Sequence, residues 1–326
     1  MANGIRWGLL STARINRALI PPIKSLPRHS LRAVASRDAA RAKAYAAEWD
    51  IPVAYGSYEA LLADPEIDAI YNPLPNGLHA EWTIRAAQAG KHVLCEKPLA
   101  LSLDEVDRIA ESAAANEVVV AEAFMYRHHP QTVLLKELLD RGTIGDVLVI
   151  RGAFTFTLTR PGDVRLDTSM GGGSLWDVGC YPVSMARYLA GREPVRVVGW
   201  QRSAPSGIDD VFVGMLDFGG TLAQFDCGFA APFRTDVEVV GTTGAISVPV
   251  PFKPGENEQL IISRGSEREV VPVEGQALYE GEVEDMANAI LHGTAPRVSL
   301  ADSRGNTATL LALYESARTG QPASLR

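Results

Sequence analysis

Cysteine is scarce in this chain, positive charge is in deficit, and no apolar run is long. Each shortage removes a class of function. The three cysteines among 326 residues, Cys95, Cys180 and Cys227, are odd in number, widely spaced and set in apolar surroundings. That pattern suits reduced thiols better than a disulfide framework, and a cytoplasmic location is expected. Lys and Arg number 31 against 39 Asp and Glu, a formal net charge of −8, which argues against a nucleic-acid surface but leaves room for a local phosphate pocket. No stretch approaches the roughly 18 uninterrupted apolar residues of a membrane span, so no membrane partner is expected. Residues 1–10 show no basic segment followed by a long apolar run, so no signal peptide is expected either. The cysteines and the six histidines, including the adjacent His128-His129, show no metal-ligand spacing, and no metal site is expected.

What is present is an ordinary globular composition, 46% hydrophobic and 21% charged, over a length that accommodates two domains. In the first third, short apolar runs at residues 5–10, 31–36, 53–55, 69–71 and 92–95 alternate with helical stretches. The first helix is expected to stop before Pro21-Pro22. In residues 38–49, Ala42, Tyr45, Ala46 and Trp49 recur at helical intervals. Strands alternating with helices in this way predict a parallel sheet covered on both faces, an α/β Rossmann-type domain over residues 1–124. Beyond about residue 125 the texture changes. A helix near 134–140 leads to β-like runs at 146–158, 195–200, 211–218, 221–229, 236–241, 245–250 and 260–263, with tight Gly-rich turns and a last helix at 303–317. These predict an α+β second domain, residues 125–326, with a large, mainly antiparallel sheet. With no linker composition between them, the domains are expected to pack directly and leave a cleft; the last helix is placed where it can return to the first domain.

The first strand–helix turn is where a dinucleotide pyrophosphate would meet a helix N-terminus. It reads Gly8-Leu9-Leu10-Ser11-Thr12-Ala13-Arg14-Ile15-Asn16, with Ser11, Ala13 and Asn16 where three glycines would stand. Small residues still permit close backbone approach, and Ser11, Thr12 and Arg14 add donors. On pattern alone, an ordinary turn without ligand explains it equally well. The second strand ends Ala35-Ser36-Arg37, not in the acidic residue that binds the ribose hydroxyls of NAD. A hydroxyl and a guanidinium suit a 2′-phosphate. NADP(H) is therefore the expected cofactor and NAD(H) the lesser alternative, against the objection that Asp38 is one residue away. The strand near residue 93 runs into Cys95-Glu96-Lys97-Pro98, at the sheet edge where such folds bind ligands. There a lysine can hold a substrate oxygen, although a surface lysine paired with Glu96 is the blander reading. Last, Met170-Gly171-Gly172-Gly173-Ser174 precedes Leu175-Trp176-Asp177-Val178-Gly179-Cys180-Tyr181-Pro182. Asp177 and Tyr181 share one face if the segment is helical, a carboxylate orienting a phenol for proton transfer. Ser174 and Asp177 also fit a helix-start capping pattern, and Pro182 fits a helix only in its first turn.

Taken in order, these pieces resemble the Gfo/Idh/MocA family of oxidoreductases, over nearly the whole chain. The most specific segments are Gly90-Lys91-His92-Val93-Leu94-Cys95-Glu96-Lys97-Pro98-Leu99 and Gly172-Gly173-Ser174-Leu175-Trp176-Asp177-Val178-Gly179-Cys180-Tyr181. Asn72-Pro73-Leu74-Pro75-Asn76-Gly77-Leu78-His79 and Glu122-Ala123-Phe124-Met125-Tyr126-Arg127 support them. The resemblance implies Lys97 as the catalytic lysine, Asp177 as its acidic support and Tyr181 as the proton-transfer residue. It implies cofactor contacts from Gly8, Ser11, Thr12, Ala13, Arg14, Ile15, Ser36, Arg37, Leu74, Pro75, Asn76, His79, Glu96 and Lys97. The substrate side would comprise Met125, Arg127, Phe154, Trp176, Asp177 and Tyr181. Tyrosine at position 181 resembles the branch with glucose–fructose oxidoreductase, dimeric dihydrodiol dehydrogenases and sugar-ketone reductases. The Ser-Thr-Ala first loop departs from the family's commoner Gly-x-Gly-x-x-Gly.

The implied activity is NADP-dependent hydride exchange with a sugar or related polyol, either aldose oxidation at C1 (D-xylose or D-glucose) or keto-sugar reduction. Trans-dihydrodiol oxidation is the alternative within this chemistry. A non-catalytic NADP-binding sensor is the alternative of another class, and a non-redox reaction through transient oxidation is a third. A homodimer or homotetramer through the second domain's sheet is also implied.

Overall fold

Short Val-, Ile- and Ala-rich runs that are buried on both faces can be strands only in the middle of a layered sheet, and that is what the first part of the chain builds. In the computed structural model, which describes residues 4–325, five βα repeats and a closing strand follow one another. They are β1 (Ile5–Leu9), α1 (Asn16–Ser25), β2 (His29–Ala35), α2 (Ala39–Glu48), β3 (Val53–Tyr55), α3 (Tyr58–Leu62), β4 (Ala69–Asn72), α4 (Asn76–Gln88), β5 (His92–Glu96), α5 (Leu103–Ala115) and β6 (Val120–Ala123). All pairings are parallel in the order β3-β2-β1-β4-β5-β6, which puts the change of direction between β1 and β4. Ligands of such sheets bind beyond the carboxyl ends of the strands at that point. Residues 1–3, part of the stretch read above for an export signal, lie outside the described residues.

One helix departs from expectation. The first helix does not stop before Pro21-Pro22 but carries both prolines inside Asn16–Ser25. Each interior proline costs roughly 3 kcal/mol. Leu19, Ile20 and Ile23 are fully buried on one core, and at about 1.5–3 kcal/mol each their burial is of the size needed to offset that cost.

The second part of the chain runs α6 (Pro130–Asp140), β7 (Val147–Thr157), α7 (Cys180–Ala190), β8 (Arg196–Ser203), β9 (Asp209–Asp217), β10 (Leu222–Gly228), β11 (Ala230–Gly241), β12 (Ala245–Val248), β13 (Asn257–Arg264) and β14 (Glu267–Glu274). Then follow α8 (Glu280–His292), α9 (Leu300–Thr319) and β15 (Ala323–Ser324). The nine strands form one sheet, β14-β13-β12-β11-β7-β10-β9-β8-β15. Every pairing is antiparallel except that of β7 with β10. Strands β6, β14 and β15 and helix α8 were not anticipated. Four charged residues and exposed Val270 give β14 no apolar alternation to read.

The chain forms two compact units, Met1–Met125 with Tyr279–Ser303, and Tyr126–Leu278 with Arg304–Arg326. The returning segment belongs to the first unit because Val283, Met286 and Ala287 of α8 bury against the core that α1 and β1 share. Within the second unit one face of the sheet is covered by α7 and the turn before it. Along β8, β9 and β10, Trp200, Val213, Met215 and Leu222 point the other way and are exposed.

Candidate active site

In the first unit the candidate residues stand just past strand ends. After β1, Ser11 has φ 144°, a backbone conformation favoured by glycine and strained in serine. It is held there because the Asn16 side-chain amide donates to its carbonyl at 2.8 Å and its hydroxyl accepts the Ala13 N–H at 3.2 Å. The helix that follows has Ile15 at its N-cap and no side-chain cap, and the N–H groups of Asn16, Arg17 and Ala18 turn back to the carbonyls of Ala13, Arg14 and Ile15 at 3.2, 3.3 and 2.9 Å. A strained loop ahead of an uncapped helix start fits a bound pyrophosphate. After β2, Ser36 is buried and its hydroxyl accepts the Asp38 N–H at 3.2 Å. Arg37 is exposed, with its guanidinium in hydrogen-bond reach of the Tyr58 phenol. Asp38, the residue that spoke for NAD, caps α2 by accepting the N–H groups of Ala40 and Arg41 at 2.9 and 3.2 Å. Its carboxylate is spent on the helix, and Arg37 is the charge left at the strand end.

Beyond β4, Leu74 and Pro75 lead to Asn76 at the start of α4, and the loop is tied to the one beyond β5. Asn72 accepts the Leu74 N–H at 3.3 Å, and both nitrogens of the buried His79 ring lie against carbonyls, Leu74 at 2.6 Å and Pro98 at 2.7 Å. Burial pushes the His79 imidazole down to about 4, so it is neutral and donates to one of the two. With its ring committed to main chain, His79 serves the site by joining two loops. Glu96 accepts the Tyr71 hydroxyl at 2.5 Å on one oxygen and the Lys97 N–H at 3.3 Å on the other. The Lys97–Pro98 peptide is cis, and Leu99 N–H donates to Glu122 at 2.8 Å.

Next to Glu96 is a second carboxyl with no counterpart in the sequence reading. Glu282 is 1% exposed and neither of its oxygens has a hydrogen-bond partner among the described residues. Burial first, and then the charge on Glu96, push it well above the usual carboxylate range. Glu96 accepts from Tyr71 and Lys97, whereas no donor reaches Glu282 among the described residues, so burial acts on Glu282 unopposed and favours its neutral form. Burial and these carboxyls also push the phenols of Tyr71 and Tyr279 upward.

In the second unit, Asp177 lies on a wide helical turn, Leu175–Gly179, that feeds directly into α7, where Tyr181 is the second residue. The turn has π-helical bonding, a form that recurs at functional sites. Pro182 is the third residue of α7, directly past the wide turn. The capping pattern suggested by Ser174 is not what forms: Ser174 caps nothing, and its hydroxyl donates to Asp209 at 2.7 Å. Asp177 accepts Arg165 Nε at 2.7 Å, and Asp163 accepts Nη1 of the same guanidinium at 3.2 Å. The Asp177 carboxylate holds that guanidinium firmly charged. Tyr181 is buried to 5% exposure in an aromatic box: Phe154 at 5.3 Å, Phe252 at 5.5 Å and Tyr126 at 5.7 Å between ring centroids. The Lys253 ammonium lies 5.7 Å from the Phe154 ring.

The structure thus groups Tyr181 with Phe154, and Asp177 with Arg165. Trp176 turns instead to Tyr314, at 5.5 Å. Arg127 stacks on Tyr188 at 4.0 Å and donates to Ser184 at 3.3 Å. Met125 is buried at the end of the first unit's opening segment. Arg165, Phe252 and Lys253 escaped the sequence reading, and Tyr126 entered it only within the segment Glu122–Arg127. Arg165 had the weak signal of a basic residue just ahead of the glycine run; Phe252 and Lys253 had none.

Comparison with known proteins gives the family and the fold. Residues 5–124 match the model described as an oxidoreductase family with NAD-binding Rossmann fold, and residues 132–247 match the GFO/IDH/MocA C-terminal domain. A D-xylose 1-dehydrogenase (NADP(+)) of Haloferax volcanii is 39% identical over 324 residues, covering 98% of this chain and 99% of that one. The crystal structure of KijD10, a 3-ketoreductase from Actinomadura kijaniata in complex with NADP and TDP-benzene, superposes with a TM-score of 0.91 at 31% identity, over 96% of this chain and 98% of that one. An aldose-aldose oxidoreductase from Caulobacter crescentus, complexed with glycerol, gives a TM-score of 0.91 at 26% identity, over 99% and 100%.

Proposed function

The chain belongs to the Gfo/Idh/MocA oxidoreductase family, and from that premise we propose that it exchanges hydride between NADP(H) and a sugar, with an aldose oxidised at C1 as the favoured substrate. The observation that carries this reading is the pairing of a tyrosine in an apolar aromatic box with a carboxylate four residues earlier that is fixed by an arginine. The xylose dehydrogenase relative, alike over the whole chain, supports the aldose.

The strained Ser11 loop and uncapped α1 are where the pyrophosphate fits. Arg37 and Ser36 suit the 2′-phosphate, since Asp38 is engaged in its cap. Thr12, Ala13, Arg14 and Ile15 would line the phosphates, Gly8 the strand end beneath them, and Leu74, Pro75 and Asn76 the nicotinamide end. When bound, the nicotinamide supplies the hydride acceptor for oxidation and the donor for reduction. Lys97 holds the substrate oxygen, and Tyr181 takes its proton in oxidation and returns it in reduction. Asp177, oriented by Arg165, holds a substrate hydroxyl or the tyrosine in register. Phe154 and its neighbours exclude water around that proton.

The exposed row Trp200, Val213, Met215 and Leu222 is an apolar patch of the kind that is covered in an assembly. It supports self-association through the second unit's sheet. The three buried thiols, none in a disulfide, support a reducing compartment, and the cytoplasm is the one proposed. Among the described residues no helix is long and apolar enough to cross a membrane.

The test is NADPH formation across a panel of aldoses, inositols and diols, with NAD+ in parallel. Turnover of one aldose with NADP+ preferred establishes the reading. Turnover of a trans-dihydrodiol alone would replace the sugar. Binding of NADP(H) with no turnover of any alcohol, and no reduction of keto-sugars, would remove the enzyme reading.

A further inference from the structure

Asp209, the first residue of β9, is 3% exposed yet accepts three hydrogen bonds. One carboxylate oxygen takes the Ser174 hydroxyl and the Leu175 N–H, both at 2.7 Å. The other takes the Tyr314 hydroxyl of α9, also at 2.7 Å. Leu175 opens the wide turn that carries Asp177 and leads to Tyr181. The first N–H groups of any helical turn lack partners within it; here a carboxylate from a strand 34 residues away supplies one. Gly173 shows how closely the groups are fitted. Its φ of 126° favours glycine, and a Cβ there would lie 2.2 Å from a carboxylate oxygen of Asp209 and 2.9 Å from the Tyr314 hydroxyl. The last glycine of the run is therefore small so that Asp209 and Tyr314 can reach the start of the turn. On its far side Tyr314 packs against Trp176 at 5.5 Å and edge-on to Phe212 at 5.7 Å. Burial raises the Asp209 carboxyl, and the donors from Ser174, Tyr314 and Leu175 oppose that rise.

Sealed from solvent and with both oxygens committed, Asp209 is suited to holding rather than to exchanging protons. We propose that Asp209 is a positioning residue that sets where the catalytic turn begins, and through it the placement of Asp177 and Tyr181, with Tyr314 of the C-terminal helix as its backstop. Rotating a helical turn at its first residue moves everything it carries, and a misplacement of about 1 Å at a reacting group costs about 10²-fold in rate. The proposal rests on the reading of Tyr181 as the proton-transfer group.

The test uses the full chain with Asp209→Asn and Tyr314→Phe, each alone and combined with Tyr181→Phe. Asparagine keeps the size but cannot accept from all three donors; Tyr314→Phe deletes one hydroxyl and carries the same test should Asp209→Asn fold poorly. We expect kcat to fall about 10²-fold in Asp209→Asn and about tenfold in Tyr314→Phe, with KM for NADP+ within about twofold. In the Tyr181→Phe background each change should lower turnover less than in the parent, because the part of its effect that passes through the Tyr181 hydroxyl is already gone. Amide hydrogen exchange should quicken at residues 175–181 and stay unchanged in the first unit. Equal losses of turnover in both backgrounds, or a lower Tm with kcat intact, would overturn the proposal while leaving Tyr181 in its role. Full turnover by Tyr181→Phe alone would remove that role and the proposal with it.

Discussion

The two units assemble their candidate residues in opposite ways. In the first, Ser11, Ser36, Arg37, Leu74, Glu96 and Lys97 each stand within a few residues of the end of a strand, and the parallel sheet collects those ends along one edge. In the second, the turn that bears Asp177 and leads to Tyr181 is held by partners from all along the chain. Arg165 lies 12 residues away, Asp209 is 35 from Ser174, and Tyr314 is 105 from Asp209. A parallel sheet turns local sequence into a site because its topology already fixes where strand ends go. A sheet that presents a face must fix each side chain by packing and hydrogen bonds from distant segments. The first kind of site withstands substitutions around it; the second depends on its supports.

The largest effect expected belongs to the second unit. Tyr181→Phe should lower kcat about 10²- to 10⁴-fold with NADP+ affinity unchanged, measured by steady-state kinetics and cofactor titration. If affinity for the cofactor fell instead, the division of labour between the units would be wrong.

In the first unit the corresponding change is one of affinity. Arg37→Ala should weaken NADP+ binding about 10- to 100-fold, the worth of charge-assisted hydrogen bonds to a phosphate, and leave NAD+ binding and kcat nearly unchanged. Equal loss for both cofactors would place Arg37 away from the 2′-phosphate.

Glu282 sharpens the comparison from the side of stability. Burial raises its folded-state carboxyl well above the ordinary glutamate range, so between the two the folded chain keeps a proton that the unfolded chain has lost. Stability from this group is complete below about 4.5 and falls as pH rises towards the folded value, by at most about 1.4 kcal/mol per pH unit. Glu282→Gln removes that slope. Its Tm should exceed that of the parent above pH ~5, by a margin that widens with pH. Parallel Tm–pH curves for the two proteins would show that Glu282 is ionised in the fold.

The smallest effect separates a helix cap from a cofactor ligand. Asp38→Ala should cost about 1 kcal/mol of stability through loss of the α2 cap, read as a lower urea midpoint. The ratio of NADP+ to NAD+ affinity should not move. A shift of that ratio towards NAD+ or NADP+ would return Asp38 to the ribose.

How much was legible follows the same division. The βα series, the departure of Ser11 from glycine and the Ser36-Arg37 ending were readable because each is a short-range pattern beside a predicted strand. Five of the six parallel strands and the large, mostly antiparallel second sheet follow from that texture; β6 was not read. The helix through Pro21-Pro22 was misread because burial of Leu19, Ile20 and Ile23 offsets the local preference. The segment with β14 and α8 was missed because its strand is an exposed, charged edge and its helix is recruited by a core some 250 residues earlier. Ser174 was read as a cap because the pattern is local, whereas its partner is on another strand.

By itself the sequence determined the two kinds of sheet, the strand ends where a cofactor phosphate can be met, and the residue types at which proton transfer is expected, since all of these are properties of neighbouring residues. Tertiary structure alone decided that Asp38 serves its helix and that Glu282 is buried without a donor beside Glu96. It also decided that Arg165 fixes Asp177, and that Asp209 and Tyr314 hold the turn before Tyr181. Those outcomes depend on which distant groups meet in a closed space, where desolvation makes every unmatched charge and donor count, and periodicity along the chain carries no record of that meeting.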